Sequence, residues 1–271
     1  MSNQFVVNDE NAHVLFKLRP PMTTDEIEMR LVSLDKNDLN LLCFLHRHSF
    51  MTRFQIERLF INSTKQSKRR LKFLDKIRVV NRLRVSCSVP TFPPIYMLDI
   101  AGARYLNLKK WSPDVLDFNS ICKYLQLVEI YLLLSPGVSD YRVRPVFKTH
   151  RGFYVPMAVF NYTGINGRER KLIFDIFRPG DNNDLDRKIG YLCALLDEPT
   201  GHFDTLPAVV LDCCDEDQIR AAARHLAQHA RKVAFTTDDR LYGSDVNKSF
   251  LVWNGRDIEP MPDQGFFLPQ L

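Results

Sequence analysis

Long apolar runs are missing from this sequence. A bilayer-spanning helix needs about 20 consecutive apolar residues, and the densest stretches, 41–45 and 131–134, are far shorter. Glycine and proline are modest at 11 and 15 of 271 residues, no heptad is sustained and no fixed period recurs, which excludes collagenous, coiled-coil, repeat and largely disordered chains. Residues 1–10 carry Asp9 and Glu10 and lack both a basic start and an apolar core, so no secretory signal is expected. Six scattered cysteines (Cys43, Cys87, Cys122, Cys193, Cys213 and Cys214) are then expected as reduced thiols in a cytoplasmic protein rather than as a disulfide framework. A Gly-rich phosphate loop, a GxSxG nucleophile elbow and an HExxH zinc motif are all lacking, so the commonest nucleotide, hydrolase and metalloprotease chemistries have no carrier.

What is present is a globular composition, 45% hydrophobic and 25% charged, long enough for two domains each with its own core. The net charge of +5 is unevenly placed. Residues 35–110 hold 16 Lys and Arg against 5 Asp and Glu, a net +11, which leaves 21 against 27, or −6, elsewhere. Residues 53–84 alone contain 11 basic and 2 acidic residues. One compact part of the surface is therefore expected to attract polyanions.

That basic region reads as three helices and a ribbon. Asp35 can cap a helix over 35–49 with Leu39, Leu41, Leu42 and Leu45 on its apolar side. Thr52 with Gln55 forms a capping box for a short helix burying Ile56, Leu59 and Phe60, which Asn62 ends. Ser63 with Gln66 reads as a second capping box, opening a helix over 63–77 whose inner face is Leu71 and Leu74 with Thr64 and Ser67. Residues 79–85 alternate apolar side chains with Asn81, Arg82 and Arg84 as a strand, a Ser/Pro loop follows, 95–98 read as the returning strand, and Asp99 caps a helix over 101–106. Helix, helix, basic helix and two-stranded ribbon is the order of a winged helix-turn-helix, whose third helix enters the major groove while the wing touches the backbone.

At about 100° per residue, Lys65, Arg69, Lys72 and Lys76 fall opposite the apolar stripe, flanked by Gln66 and Lys68. Such a face offers base-edge donors, with Gln66 suited to adenine and Arg69 to guanine, together with phosphate partners. Arg53, Arg82 and Arg84 are further candidates for the DNA-binding surface, the last two as phosphate contacts on the wing. The expected partner is double-stranded DNA, because the deep, narrow major groove of duplex RNA does not admit a helix. No cofactor is required. Paired half-sites, habitual for helix-turn-helix proteins, make a homodimer the expected assembly.

Residues 111–119 read as a linker and 120–135 as an amphipathic helix. Three strands in a meander (141–147, 154–161 and 171–177) are expected next. A helix over 184–196, a strand over 208–212, a helix over 215–230 and a strand over 233–236 follow. This α/β order resembles the restriction-endonuclease-like fold, the PD-(D/E)xK superfamily, whose nucleases use carboxylates and a lysine on adjacent strands to hold a metal and activate water. At the matching positions Pro156-Met157 stands where Pro-Asp is expected, and Asp175-Ile176-Phe177 lacks the closing lysine. A thioether does not serve a hard cation, so the domain is expected to be a degenerate, non-catalytic relative. Asp175, alone or with Glu129 on the preceding helix and Lys188 on the following one, is the alternative, a migrated catalytic site.

The segments LDKNDLNLLCFLHRHSFMTRFQIERLF, SKRRLKFLDKIRVVNRLR and PIYMLDIAGARYL, followed by YVPMAVFNY, RKLIFDIFRPGDNNDLDRKIGYLCALL and LPAVVLDCC, together resemble the replication-relaxation family of bacterial plasmids and integrative elements. The resemblance covers about residues 34–255. It implies an accessory or regulatory DNA-binding protein of mobile-element replication, conjugative transfer or transcription, with a relaxase or replication protein as a possible partner. The expected organisation is an N-terminal arm (1–33), a winged helix (34–110), a linker (111–119) and a nuclease-like domain (120–271). Two rivals stand beside it: a metal-dependent nuclease targeted by the winged helix, and a protein-interaction adaptor whose basic face meets an acidic protein. Cys43-x-x-His46-x-His48 and His225-x-x-x-His229 have metal-like spacing, but neither has further ligands nearby in sequence, and no metal is expected.

Overall fold

The computed structural model describes residues 12–16, 19–20, 22–61, 63–87, 92–108, 116–164, 167, 169–178, 182–198, 202–203, 207–241 and 249–261. The chain is a mixed α and β protein that divides into two compact units, with the division between Val128 and Glu129. Of the expected linker, residues 111–115 lie outside the described residues, and a helix already runs from Phe118. Asn62 and the tip of the Ser/Pro loop lie outside them too.

In chain order, the first unit comprises β1 (His13–Leu15), α1 (Thr24–Leu31), α2 (Lys36–His48), β2 (Met51–Thr52), α3 (Arg53–Phe60), α4 (Thr64–Lys76), β3 (Val80–Ser86), β4 (Ile95–Leu98), α5 (Ile100–Tyr105) and the start of α6 (Phe118–Leu134). Local sequence chemistry sets several boundaries. Asp35 and Asp38 cap α2 reciprocally, each side chain accepting the other's backbone N–H at 2.9 and 3.0 Å. Thr52 and Gln55 do the same for α3, and the Gln55 amide also donates to the Leu125 carbonyl at 2.8 Å, which holds α3 to α6. Leu41, Leu42, Leu45, Ile56, Leu71, Leu74, Val80 and Leu83 fill the core at 1% exposure or less. Each such side chain contributes about 2 kcal/mol of burial.

The ribbon differs from its expected two strands. Val80 pairs with Leu98 through to Leu83 with Ile95, but β1 adds on one side of β3 and β2 on the other side of β4, giving a four-stranded antiparallel sheet in the order β1-β3-β4-β2. Residues 1–33, to which the sequence assigned no structure, thus supply an edge strand and the Thr23-capped helix α1. Close packing fixes one residue type. A Cβ on Gly102 of α5 would lie 2.2 Å from the Val79 carbonyl oxygen, so only glycine lets α5 cross the start of β3 at this distance.

The second unit carries the rest of α6, β5 (Val138–Val143), β6 (Phe147–Thr149), β7 (Gly152–Tyr154), β8 (Ala158–Thr163), β9 (Glu169–Ile176), α7 (Asn182–Asp197), β10 (Ala208–Cys213), α8 (Glu216–His225), β11 (Val233–Thr237), α9 (Asp238–Leu241), β12 (Leu251–Trp253) and β13 (Ile258–Pro260). The main sheet runs β13-β12-β11-β10-β9-β8-β5, with β9, β10 and β11 parallel and the flanking pairs antiparallel. One of its faces, carrying Ile173, Val209, Leu211, Val233 and Phe235, packs with Ile189, Leu192 and Leu196 of α7 and Ile219, Ala222 and Ala223 of α8.

Two expectations are corrected here. The meander is formed by β5, β8 and β9, while Phe147 and Tyr154, expected at the ends of its strands, instead pair with each other in a separate two-stranded hairpin, β6 and β7. The reason is the left-handed Arg144 (φ 49°) followed by Pro145, which breaks the strand after Val143. The helix expected over 215–230 ends at His225 and continues as a 3₁₀ segment, Ala227–Lys232.

Two stability predictions follow from this packing. Gly102→Ala is expected to destabilise the protein by about 2 kcal/mol in chemical denaturation; an unchanged midpoint would refute the close α5–β3 approach. His48 is fully buried and stacked on Phe44 at 4.1 Å, and burial, assisted by Arg47, pulls its imidazole down to about 3 from 6.5. The unfolded chain takes up this proton below about pH 6.5 while the folded one refuses it, so folding stability falls as pH falls. Between pH 7 and 5 the wild type is expected to lose about 2 kcal/mol more than His48→Phe, and parallel pH profiles would overturn this.

Candidate nucleic-acid interface

The third helix of the basic region sorts its side chains sharply. Ser67, Leu71 and Leu74 are buried, whereas Lys65, Gln66, Lys68, Arg69, Lys72 and Lys76 are all exposed; Thr64, expected on the inner face, is exposed as well, because it is the first residue of the helix. Arg82 and Arg84 are exposed on β3, alternating with buried Leu83. Arg53 is placed differently. Its guanidinium lies 3.2 Å from Glu57 and 4.7 Å above the Phe54 ring, and is only 20% exposed. Of the nine candidates, then, eight are outward and one is held in a contact within α3.

The start of α4 departs from expectation. Ser63 makes no side-chain cap. Gln66 instead lines a groove with Asp35, Asn37, Leu41, Phe60 and Arg70. The Ser67 hydroxyl, one turn on from Ser63, bonds to the Thr64 carbonyl at 3.1 Å and to the Glu57 carboxylate.

The acidic residues explain why the positive charge survives folding. All five carboxylates of residues 35–110 are engaged within the unit. Asp38 accepts from Arg70 Nε at 2.9 Å and from its terminal nitrogen, and Asp35 lies 3.8 Å from the same guanidinium. This bonding to Asp38 holds the Arg70 proton more tightly than usual, against the opposing effect of burial. Glu57 takes Arg53 and Ser67. Asp75 is bridged by Arg19 and accepts the Arg82 backbone N–H at 3.1 Å. Asp99 takes Arg19 at 3.0 Å and Arg78 at 3.7 Å while capping α5. Sequence reading missed Arg19, 9% exposed in its side chain, which ties the N-terminal segment to the junction of α4 and β3. The sequence carried no signal that set Arg19 apart from Lys17 and Arg30 in the otherwise unassigned arm.

In the second unit, Met157 and Phe177 are buried at 7% and 1% exposure. Asp175 is fully buried. It accepts from the Tyr154 hydroxyl at 3.1 Å and the Ile176 N–H at 2.9 Å, with Lys188 Nζ 4.0 Å away. Burial and the neighbouring carboxylate push the Tyr154 phenol well above its usual range, so it stays protonated and remains a donor. Glu129 is also buried, on α6. The structure thus brings Asp175 and Lys188 together.

A second buried polar group was not foreseen. Arg178, fully enclosed beyond the end of β9, reaches Asp238 at 2.9 Å and Asp212 at 3.4 Å. Its signal was the acid inside the apolar run 208–213, which could be buried only with a cationic partner.

The histidine spacings do not converge. Cys43 and His46 are exposed while His48 is buried, and His225 and His229 each lie 3.2 Å from a separate carboxylate, Asp186 and Asp197. Among the described residues no group of three or more His, Cys, Asp or Glu side chains is placed to hold a metal, and no helix is long and apolar enough to cross a membrane. No protein-family model, curated protein or solved structure matches this chain.

Proposed function

We propose that the first unit is a winged helix that binds double-stranded DNA, with α4 in the major groove and the β3–β4 ribbon as its wing. The observation that carries this reading is the sorting of charge. Lys65, Lys68, Arg69, Lys72 and Lys76 lie exposed along one helix while the carboxylates of the same segment are bound internally to other arginines. A helix needs this one-sided array to meet phosphates on both sides of a groove. Gln66 and Arg69 supply the base-edge donors, with the reach of Gln66 set by its place in the groove beside Asp35. Arg82 and Arg84 take backbone phosphates beside the helix. Arg53, paired with Glu57, shapes α3 rather than contacting DNA.

The second unit reads as a degenerate restriction-endonuclease-like domain that recruits partners or dimerises. The whole chain then acts as an accessory or regulatory factor in the replication, transfer or transcription of a mobile element, alongside a relaxase or replication protein. A hard divalent cation needs several oxygen ligands. Around Asp175 the chain offers a carboxylate already bonded by Tyr154 and Ile176, with the Met157 thioether where the fold's nucleases place a carboxylate ligand and the Phe177 ring where they place the lysine. That donor set does not fit the metal.

Binding of a random-sequence duplex across a salt series tests the first reading. The wild type is expected to show a steep log-affinity slope that falls by about 2 to 3 units in a Lys65/Arg69/Lys72→Ala triple variant, near 0.9 for each phosphate that is no longer neutralised. A wild type that fails to bind even at low salt would turn the basic face into a protein-docking surface.

The approach of Lys188 to Asp175 is the observation that favours the nuclease reading. Supercoiled plasmid incubated with excess protein and Mg²⁺ or Mn²⁺ is expected to remain intact; cleavage that disappears in Asp175→Asn would reverse the conclusion.

A further inference from the structure

The hairpin that interrupts the meander presents a surface that duplex binding does not use. β6 and β7 pair Phe147 with Tyr154 and Lys148 with Phe153, and strand alternation sends the two pairs to opposite faces. Phe147 and Tyr154 face inward at 7% and 1% exposure, with Phe147 5.2 Å from the Phe203 ring and Tyr154 bonded to Asp175. On the outer face, Phe153 is 62% exposed opposite Lys148, and Val146, two residues before Lys148, is 64% exposed. Arg142, Arg144 and Arg151 are also exposed in this segment. Residues 142–153 hold four Lys and Arg and no Asp or Glu. They do so in the part of the chain that is net −6 outside residues 35–110.

This face is rigidly supported from behind. The Thr149 hydroxyl donates to the Gly152 carbonyl at 2.9 Å and closes the turn, and His202 Nε2 sits 2.8 Å from the Lys148 carbonyl. Gly152 has φ +141°, and a Cβ there would lie 3.0 Å from the Tyr191 ring, so this turn comes up against α7 as only glycine can.

An exposed aromatic ring among cations is the arrangement by which proteins hold unpaired nucleotides: bases stack on the ring and phosphates meet the charges. A duplex keeps its base faces stacked away from such a ring. An acidic protein surface would satisfy the cations and leave Phe153 without a counterpart, whereas an unpaired strand satisfies both. We propose that the outer face of β6 and β7 is a binding site for a single nucleic-acid strand, with a base on Phe153 and phosphates on Lys148, Arg151 and Arg144. Arg142, 3.0 Å from Asp140, lies at its margin.

The test uses the full chain, with fluorescent oligo(dT) and oligo(U) titrated across a salt series. Duplex binding is measured in parallel, so that loss of the α4 reading and loss of this site are distinguished. Phe153→Ala is expected to weaken single-strand binding about tenfold and to leave duplex binding and thermal stability within experimental error. Lys148→Ala with Arg151→Ala is expected to lower the single-strand salt slope by about 1.4, near 0.7 for each phosphate released. The Lys65/Arg69/Lys72→Ala variant is expected to keep single-strand binding within about twofold. Whichever oligonucleotide binds more tightly identifies the strand as DNA or RNA. Unchanged single-strand binding by Phe153→Ala, or its abolition by the α4 variant alone, would overturn the proposal, as would a wild type that binds neither oligonucleotide at low salt.

Discussion

The first unit depends on how arginine and carboxylate are matched around α4. A helix with this much positive charge repels itself, and its inner face offers only Leu71, Leu74 and the small Ser67 to the core. Arg70 anchors its middle to the N-terminus of α2 through Asp38, whose side chain is only 4% exposed. Arg19 anchors its end to β1 and α5 through Asp75 and Asp99. These are charge-assisted bonds, the Arg70 contact two-pronged, so they fix orientation as well as proximity. A surface ion pair contributes at most about 1 kcal/mol; the partly buried Asp38 pair owes more of its effect to the cost of leaving that carboxylate unpaired.

The second unit solves a related problem with opposite emphasis. Arg178, Asp212 and Asp238 are essentially excluded from solvent at the carboxyl end of the parallel strands. Desolvating one guanidinium and two carboxylates is costly, and the attraction of Arg178 for each carboxylate offsets that cost only while the geometry holds. The register that places Asp212 beside Ile176 and Thr236 is therefore coupled to the position of α9, which carries Asp238. On the other face of the sheet, Asp175 is joined to the hairpin by Tyr154 and lies near α7 through Lys188. Asp175 thus acts as a joint between β9, the hairpin and α7.

How much of this was legible in the sequence depends on range. Local chemistry was readable: the Asp35 and Thr52 caps, the apolar stripe of α4 and the alternation of β3 are all set within a few residues, and the structure has each. The Ser63 box does not form because a capping signature competes with tertiary surroundings, here the groove that Gln66 lines with Asp35, Phe60 and Arg70. The β6 and β7 hairpin was missed because apolar residues continue through 141–147 and 154–161, and the break comes from the left-handed backbone at Arg144 together with Pro145. The four-stranded sheet was beyond reach for another reason: β1 has three residues, and its pairing with β3 spans some seventy positions. Arg19 and Arg178 share that difficulty, since their carboxylate partners lie 34 to 80 residues away.

Composition alone therefore understates what folding does with charge. A net +11 over residues 35–110 is compatible with cations spread over every face or neutralised by neighbours. In the folded unit, Arg53, Arg70, Arg78 and the distant Arg19 take up the five carboxylates, and Lys36, Lys65, Lys68, Lys72 and Lys76, with Arg69, Arg82 and Arg84, remain outward. The division follows side-chain chemistry. Guanidinium forks match carboxylates in two-pronged, partly buried contacts, while ammonium groups are strongly hydrated and keep to the surface. A polyanion approaching this unit meets cations whose natural competitors are already bound elsewhere, so the potential that the sequence places in one segment is delivered to one helix and one strand.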